Sequence, residues 1–140
     1  MIRKINRKDD YIIIIGCGRL GSHLANLLSA SKKSIVIIDK NEESFKRLNP
    51  NFSGFTIEAD AIEEEVLEEA KIDQADVVVS VTNDDNTNIM IAQIAKKIYN
   101  IPKVIARLVE PNKQKIYDKL GIVTICPTIL SAEEISKTII

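Results

Sequence analysis

Gly16, Gly18 and Gly21 form the clearest chemical motif in the sequence. They follow a run of four isoleucines and precede a leucine-rich stretch with helical spacing. In such a strand–turn–helix setting the first glycine permits a tight turn. The second lets a pyrophosphate approach the backbone, and the third lets the helix pack close to the strand. Because free N–H groups at a helix start attract phosphate, the motif predicts a nucleotide site.

Asp39 is the second element of this predicted site. It ends the next apolar run, 18 residues after Gly21, where a dinucleotide fold places an acid that accepts hydrogen bonds from ribose hydroxyls. A carboxylate there repels a 2′-phosphate, which favours NAD, ADP or ATP over NADP, although the adjacent Lys40 weakens that preference. In the alternative interpretation, the glycines only form a turn and Asp39 caps the next helix.

Arg19 lies inside the glycine loop, where a guanidinium can donate charged hydrogen bonds to a phosphate. A cation at a helix start is unfavourable against the helix dipole, which favours a bound anion over a merely solvated arginine. Open α/β sheets bind ligands at the carboxyl ends of their strands. Further candidates lie at or just after the carboxyl ends of the later predicted strands, namely Asp60, Thr82, Asn83, Asp84 and Arg107.

Several of these residues also have simple structural interpretations. Asp84 and Asp85 can ligate a cation, but adjacent acids before a helix more often serve as an N-cap. For Arg107 a functional role and a solvated strand end are equally supported. His23, the only histidine, lies one residue off the leucine stripe and fits an exposed helix position better than a catalytic base. The sequence shows no Ser-His-Asp, Cys-His or metal-ligand cluster, so we expect no catalytic residues and no metal.

Alternating strands and helices must position these side chains. The pattern predicts strands at residues 12–15, 34–39, 55–57, 75–81, 103–108 and 122–126. Helices are predicted to start near residue 20, to occupy 42–48, 62–70 and 86–99, to start again near 110, and to end the chain within 128–140, from about Ser131. This order predicts an α/β fold, a doubly wound parallel sheet of Rossmann type with six strands in order 3-2-1-4-5-6 and helices on both faces.

Helical spacing also predicts which side chains face the sheet. The first helix is expected to use a leucine stripe, and the later helices use isoleucine-rich stripes. The predicted inward residues are Leu20, Leu24, Leu27, Leu28, Ile62, Val66, Leu67, Ala70, Ile91, Ile94, Ala95, Ile98, Ile116 and Leu120.

Length and charge exclude several classes of protein. The chain has 140 residues, with 19 Lys and Arg against 20 Asp and Glu, so its formal charge is −1. Without an excess of basic residues, the sequence does not indicate binding to nucleic acid or to an anionic membrane. No apolar run approaches the roughly 20 residues that span a bilayer, and the basic N-terminus lacks a signal-peptide pattern. We therefore expect a cytoplasmic, single domain over residues 1–140 with a flexible tail at 1–10. Cys17 and Cys126 match no zinc or redox spacing and are expected to be reduced thiols.

Five segments occur in the order found in a known family. They are YIIIIGCGRLGS (residues 11–22), VIIDK (36–40), EADA (58–61), VTNDDNTN (81–88) and VIAR (104–107). Together they resemble the TrkA-N domain, also called KTN, the N-terminal domain of RCK proteins that regulate potassium channels and transporters. The resemblance covers about residues 10–130. It implies a Rossmann-fold cytoplasmic subunit that binds NAD(H) or adenine nucleotides and forms dimers or larger rings beneath a membrane potassium pore.

The resemblance also implies a role for each segment. Asp39 and Lys40 would lie at the ribose, and Arg107 would face the ligand or a neighbouring subunit. The adenine end is assigned to Asp60 and Ala61, and the inner cleft to Thr82, Asn83 and Asp84. The phosphate segment is the glycine loop, Gly16, Cys17, Gly18, Arg19, Leu20 and Gly21.

Two features depart from the family pattern. The larger members carry a second, C-terminal domain that these 140 residues do not contain, which leaves effector sensing and ring assembly open. Ala59 precedes Asp60 where the family more often has glycine, which adds a methyl group near the adenine site.

The leading hypothesis is a nucleotide-sensing regulatory subunit for potassium uptake, held at the inner face of the membrane through its partner. The alternative is an NAD-dependent oxidoreductase or an orphan NAD-binding module. A dehydrogenase needs a substrate domain and an acid or base beside the nicotinamide, and the sequence offers neither. We therefore expect a protein that is not an enzyme.

Overall fold

The computed structural model describes residues 11–140 as a six-stranded parallel sheet with helices packed on it. The strands are β1 Tyr11–Ile15, β2 Ser34–Asp39, β3 Phe55–Glu58, β4 Val77–Ser80, β5 Lys103–Arg107 and β6 Val123–Ile125. The α-helices are α1 Arg19–Ala30, α2 Glu64–Glu69, α3 Asp85–Gln93, α4 Gln114–Asp118 and α5 Pro127–Ile139. The tail predicted at residues 1–10 lies outside the described residues.

The strand order β3-β2-β1-β4-β5-β6 confirms the predicted topology. Every strand pair is parallel, and Ile13 of β1 lies between Val36 of β2 and Val78 of β4. The chain leaves β1 toward β2 on one side and returns to β4 on the other. A doubly wound sheet has its ligand crevice at this reversal, outside the carboxyl ends of the two central strands.

The isoleucine run of β1 is buried because helices cover both faces of the sheet. Ile12 and Ile14 belong to the apolar cluster under α1, whereas Ile13 and Ile15 belong to the cluster under α2 and α3. All four side chains are at most 3% exposed. A continuous β-branched run of this kind is typical of a central parallel strand, as predicted.

Three predicted helices differ from the observed ones. Residues Glu42–Arg47 form a 3₁₀ segment instead of an α-helix. The predicted helix 86–99 divides into α3 and a π-helical turn, Ile94–Ile98. The last helix begins at Pro127 and not near Ser131, because proline has no N–H to lose and a suitable φ at the first helical position. Two further 3₁₀ turns lie at Ile72–Gln74 and Pro111–Lys113.

The predicted inward stripe of α1 is wrong in part. The helix buries Gly21, Ser22 and Ala25, while Leu20 and Leu27 are 37% and 56% exposed. Gly21 faces the sheet because α1 approaches the glycine loop too closely there for any side chain, whereas Leu24 and Leu28 of the predicted stripe pack, partly buried, against the core. Ile62, Ile98 and Ile116, also predicted to point inward, are exposed.

Two further observations concern the described part of the chain. Cys17 and Cys126 are both free and buried, in agreement with the expected reduced thiols. Within residues 11–140, no helix combines the length and apolar content needed to cross a membrane.

Candidate functional site

The turn between β1 and α1 is built around Gly16. Its φ is +108°, a region that residues with a side chain rarely adopt, and a Cβ there would lie 2.9 Å from the Val81 carbonyl carbon. The Gly16 N–H donates to the Ile38 carbonyl oxygen at 2.8 Å. The turn is therefore tightly bound to the ends of β2 and β4.

The other two glycines differ in their surroundings. A Cβ on Gly21 would lie 1.8 Å from the Gly16 carbonyl oxygen, so only glycine permits this helix–strand contact. A Cβ on Gly18 would meet no atom within 4 Å. The protein itself therefore does not require glycine at residue 18, and the space above this residue is open.

The start of α1 carries no internal cap. Gly18 is the N-cap residue, no side chain accepts from the first N–H groups, and the first turn contains no acid. The first N–H groups of a helix lack intrahelical partners and carry the positive end of its dipole. Arg19, which is exposed, adds a full positive charge at the same end. This end of the helix can accept an anion.

Asp39 ties the end of β2 to the glycine loop. Its Oδ2 accepts from the Cys17 N–H at 2.7 Å, and its Oδ1 accepts from the Asn41 N–H at 2.8 Å. The following 3₁₀ segment is capped by Asn41, whose side chain accepts from the Glu43 N–H. The alternative in which Asp39 caps the next helix is therefore wrong. Each carboxylate oxygen retains a lone pair for a ribose hydroxyl.

Cys17 contributes its backbone N–H to the loop, while its side chain points into the apolar cluster. The thiol donates to the Ser44 carbonyl oxygen at 3.3 Å. Burial, followed by the negative charge of Asp39, raises the pKa of this thiol to about 11, and the Arg47 charge opposes the shift. The side chain is thus a protonated packing group at neutral pH.

The loop after β4 is closed by its own side chains. Asp84 is the N-cap of α3, and its Oδ2 accepts from the Thr87 N–H at 3.0 Å and the Thr87 hydroxyl at 2.5 Å. These bonds, that of the hydroxyl first, lower the Asp84 pKa. Asp85 accepts from the N–H groups of Val109 and Glu110 at 2.6 and 3.0 Å. The N-cap interpretation of this acidic pair therefore fits better than a cation site.

Across residues 11–140, no group of three or more His, Cys, Asp or Glu side chains is arranged to hold an ion.

A cleft of about 500 Å³ opens at the carboxyl ends of β1, β2 and β4. This volume falls within the usual range for small-molecule sites, about 300–1,000 Å³. The cleft brings together nine of the predicted residues: Gly16, Gly18, Asp39, Lys40, Asp60, Ala61, Thr82, Asn83 and Asp84.

Five predicted residues are not part of the cleft lining, namely Cys17, Arg19, Leu20, Gly21 and Arg107. Gly21 lies buried between helix and strand, and Arg19 and Leu20 are exposed on the first turn of α1. Arg107 lies next to the cleft, where its Nη1 is 3.4 Å from the Asn83 side-chain oxygen. Its Nε is buried without a hydrogen-bond partner.

The cleft also contains residues that the sequence analysis missed. Arg47 is the most consequential, because it adds a second cation beside Lys40. It comes from the 3₁₀ segment after β2, and its spacing from Asp39 carries no recognisable signal. The other missed lining residues include Asn41, Ser44, Ile62 and Thr87.

A larger groove of about 720 Å³ lies at the opposite ends of β1, β2 and β3. Its lining includes Tyr11, Ser34, Phe55, Lys32 and Lys71. Ligands of doubly wound sheets bind at the carboxyl ends of the strands, and the glycine motif is also there. The smaller cleft is therefore the candidate functional site.

The chain resembles known proteins both in sequence and in fold. The model of the TrkA-N domain family matches residues 12–127. The Trk system potassium uptake protein TrkA of Streptomyces coelicolor is 32% identical over 130 residues, which cover 93% of this chain and 58% of the relative. The chain thus spans less than two thirds of the length of this curated relative.

Solved structures share the fold. The TrkA-N domain of the inner membrane protein ybaL from Escherichia coli superposes with a TM-score of 0.81 at 18% identity, over 94% of this chain and 97% of that one. The Kef CTD of Shewanella denitrificans in its AMP-bound form gives 0.77 at 25% identity, over 89% and 76%. The GsuK channel bound to NAD gives 0.79 at 24% identity, over 93% and 23%.

Proposed function

The chain belongs to the TrkA-N domain family, and we propose that it is the nucleotide-binding regulatory part of a potassium uptake system. The observation that carries the proposal is the uncapped start of α1 in front of a cleft of suitable volume. The similarity to the potassium uptake protein of Streptomyces coelicolor supports the proposal that the domain acts in potassium uptake.

The ligand is NAD(H) in the first instance, with ADP, ATP or AMP as the other candidates. Its phosphates bind at Gly18 and the first N–H groups of α1, and Arg19 reinforces the positive end of the helix. Its ribose hydroxyls bind Asp39 at the end of β2. The adenine end lies toward Asp60 and Ala61. The AMP-bound Kef domain, at 25% identity, supports an adenine nucleotide here.

The ligand acts through conformation and not through catalysis. His23, the only histidine, is exposed on α1 and does not line the cleft. Asp39 and Asp84 hold backbone N–H groups, so they are structural parts of the cleft wall. A bound nucleotide then changes the partner only through different affinities for two conformations. A coupling free energy of about 1–3 kcal/mol changes activity several-fold.

The domain self-associates, at least as a dimer. The terminal helix α5 has no buried residue, and its Leu130, Ile135 and Ile139 are 51%, 60% and 79% exposed. On β6, Val123 and Ile125 are 55% and 36% exposed. Exposed apolar patches of this kind mark interaction surfaces. Light scattering over a range of concentrations tests this point, and a monomer mass at every concentration contradicts it.

Two experiments test the proposed function. Calorimetry with AMP, ADP, ATP, NAD, NADH and NADP should show that at least one nucleotide without a 2′-phosphate binds in preference to NADP. Potassium flux into vesicles that contain the cognate transporter should then respond to that nucleotide only when this protein is added at the cytoplasmic side. Absence of binding contradicts the site, and confirmed binding without any change in flux contradicts the regulatory role.

A further inference from the structure

Asn88 lies near the start of α3 and is completely buried, and both its side-chain oxygen and its side-chain nitrogen form hydrogen bonds within the protein. Its Oδ1 accepts from the Ser80 hydroxyl at 3.2 Å, the Thr82 N–H at 2.9 Å and the Thr82 hydroxyl at 2.6 Å. Its Nδ2 donates to the carbonyl oxygens of Thr82 and Arg107, both at 3.0 Å. One amide therefore joins the ends of β4 and β5.

Asp85 extends the same connection. This residue is 8% exposed and accepts from the N–H groups of Val109 and Glu110, the residues that lead from β5 into the following 3₁₀ turn. Asn88, near the start of α3, thus binds both the loop after β4 and the end of β5. Asp85 binds the residues that follow β5. The segment 107–110 is defined here as the β5 exit.

Thr82 faces the candidate cleft, whereas the β5 exit does not line it. If a ligand displaces Thr82, either Asn88 moves with it or buried hydrogen bonds are left unmade. Unpaired buried polar groups are costly, and a fully satisfied buried network is rigid. Thr82 and the β5 exit must therefore move together.

We propose that Asn88 is a positioning residue that orients the cleft-facing Thr82 and transmits nucleotide binding to the β5 exit. The inference rests on the proposed function, because the ligand at Thr82 is the nucleotide. It adds a route by which occupancy of the cleft reaches a surface outside it. Asn88 itself contacts no ligand.

Asn88→Asp breaks the connection between Thr82 and the β5 exit. The aspartate side chain keeps the shape and the acceptor oxygen toward the Thr82 N–H and hydroxyl, but it lacks the Nδ2 donor that holds the carbonyl oxygens of Thr82 and Arg107. Ser80→Ala is the matched control, because it removes a buried bond to the same amide without touching Thr82 or Arg107. Thr124→Val removes a part-buried hydrogen bond to Asp118 outside the cleft and controls for general destabilisation.

The experiment measures ADP binding by calorimetry and hydrogen exchange at the Val109 and Glu110 amides with and without saturating ADP. In the wild-type protein, ADP should slow exchange at both amides by at least about fivefold, the lower end of usual coupling strengths. In Asn88→Asp, ADP should still bind while this slowing disappears. In both controls the slowing should persist, even if thermal unfolding shows lower stability.

The outcomes distinguish the inference from the function on which it rests. If ADP binds but leaves exchange at Val109 and Glu110 unchanged in the wild-type protein, the inference is overturned whether or not any variant folds. Slowing that survives in Asn88→Asp, or that is lost equally in Thr124→Val, also overturns it. If none of the six nucleotides binds the wild-type protein, the proposed function itself fails.

Discussion

Two helices, α1 and α3, begin at the carboxyl ends of the adjacent central strands β1 and β4, but their N-termini are completed in different ways. At α3, the Asp84 carboxylate caps the helix, and the side chains of Asp85 and Asn88 form hydrogen bonds with the β5 exit. At α1, the cap residue is Gly18, and the first turn has no acid. Of these two helices, α1 alone therefore leaves its first N–H groups open to an anion from outside.

The comparison shows that position in the fold does not by itself make a binding site. Both helix starts lie beside the same cleft, and both have the same dipole direction. The difference is that a carboxylate of the protein itself caps the start of α3, whereas no acidic side chain lies at the start of α1. We therefore propose that the nucleotide phosphates bind at the start of α1, while the start of α3 holds the opposite wall of the cleft.

The largest expected effect is a loss of folding stability on substitution of Gly21. Gly21→Ala places a methyl group 1.8 Å from the Gly16 carbonyl oxygen, so backbone atoms must separate. We expect a loss of roughly 3 kcal/mol in the free energy of unfolding, the upper end for overpacking. Urea unfolding measures it, with Gly18→Ala as the matched control. Equal stability of the two variants would show that α1 does not need this close approach.

The next effect separates binding from folding at Gly18. Gly18→Val places its Cβ in open space, so the variant should still fold, with a small loss of stability because valine is a poor N-cap residue, while it blocks the place of the pyrophosphate. We expect nucleotide affinity to fall by about 100-fold or more, equivalent to about 2.7 kcal/mol. Calorimetry with ADP and NAD provides the number. Unchanged affinity in the folded variant would mean that the glycine loop is only a turn.

A smaller effect is expected at Asp39. Asp39→Ala removes the acceptor for ribose hydroxyls and should weaken NAD and ADP binding by about 1–3 kcal/mol, the usual range for charged hydrogen bonds. The same variant should narrow the preference for NAD over NADP. Tighter binding of NADP than of NAD by the wild-type protein would refute the ribose assignment.

The smallest effect concerns the closed helix start. Asp84→Ala removes the α3 cap, so unfolding should occur at a slightly lower urea concentration, while nucleotide affinity changes little. Because hydrogen bonds lower the Asp84 pKa in the folded protein, the stabilisation is present above the unfolded-state pKa. It is lost as pH falls through the folded-state pKa. Urea midpoints for both proteins should therefore converge in acid, and a constant difference would contradict the cap.

The parts of the molecule that sequence reasoning predicted well depend on local patterns. The isoleucine run of β1 required burial on both faces, and the glycine spacing required a strand before it and a helix after it. Together with alternation along the chain, these patterns gave the strand order. Half of the residues that line the cleft were predicted in this way, because they lie in the glycine loop or just after the ends of strands.

The missed features depend on contacts between distant parts of the chain. Asn88 is buried only because β4 and β5 are neighbours, which its own surroundings in the sequence do not reveal. Arg47 reaches the cleft from a 3₁₀ segment whose turn geometry the helical pattern did not anticipate. Two residues of the predicted leucine stripe of α1, Leu20 and Leu27, are exposed because the backbone contact at Gly21 decides which face of the helix is buried, whereas Leu24 and Leu28 do pack against the core.

The most direct test of the central claim is an ADP titration of the ¹⁵N-labelled protein, followed by amide chemical shifts. The account predicts that the largest changes occur at Gly18, Arg19 and Leu20, where the N–H groups of α1 meet the phosphates. Changes at Asp85 and at the β5 exit should be smaller and indirect. Largest changes at the start of α3, or none at the start of α1, would contradict the claim that the uncapped helix holds the nucleotide.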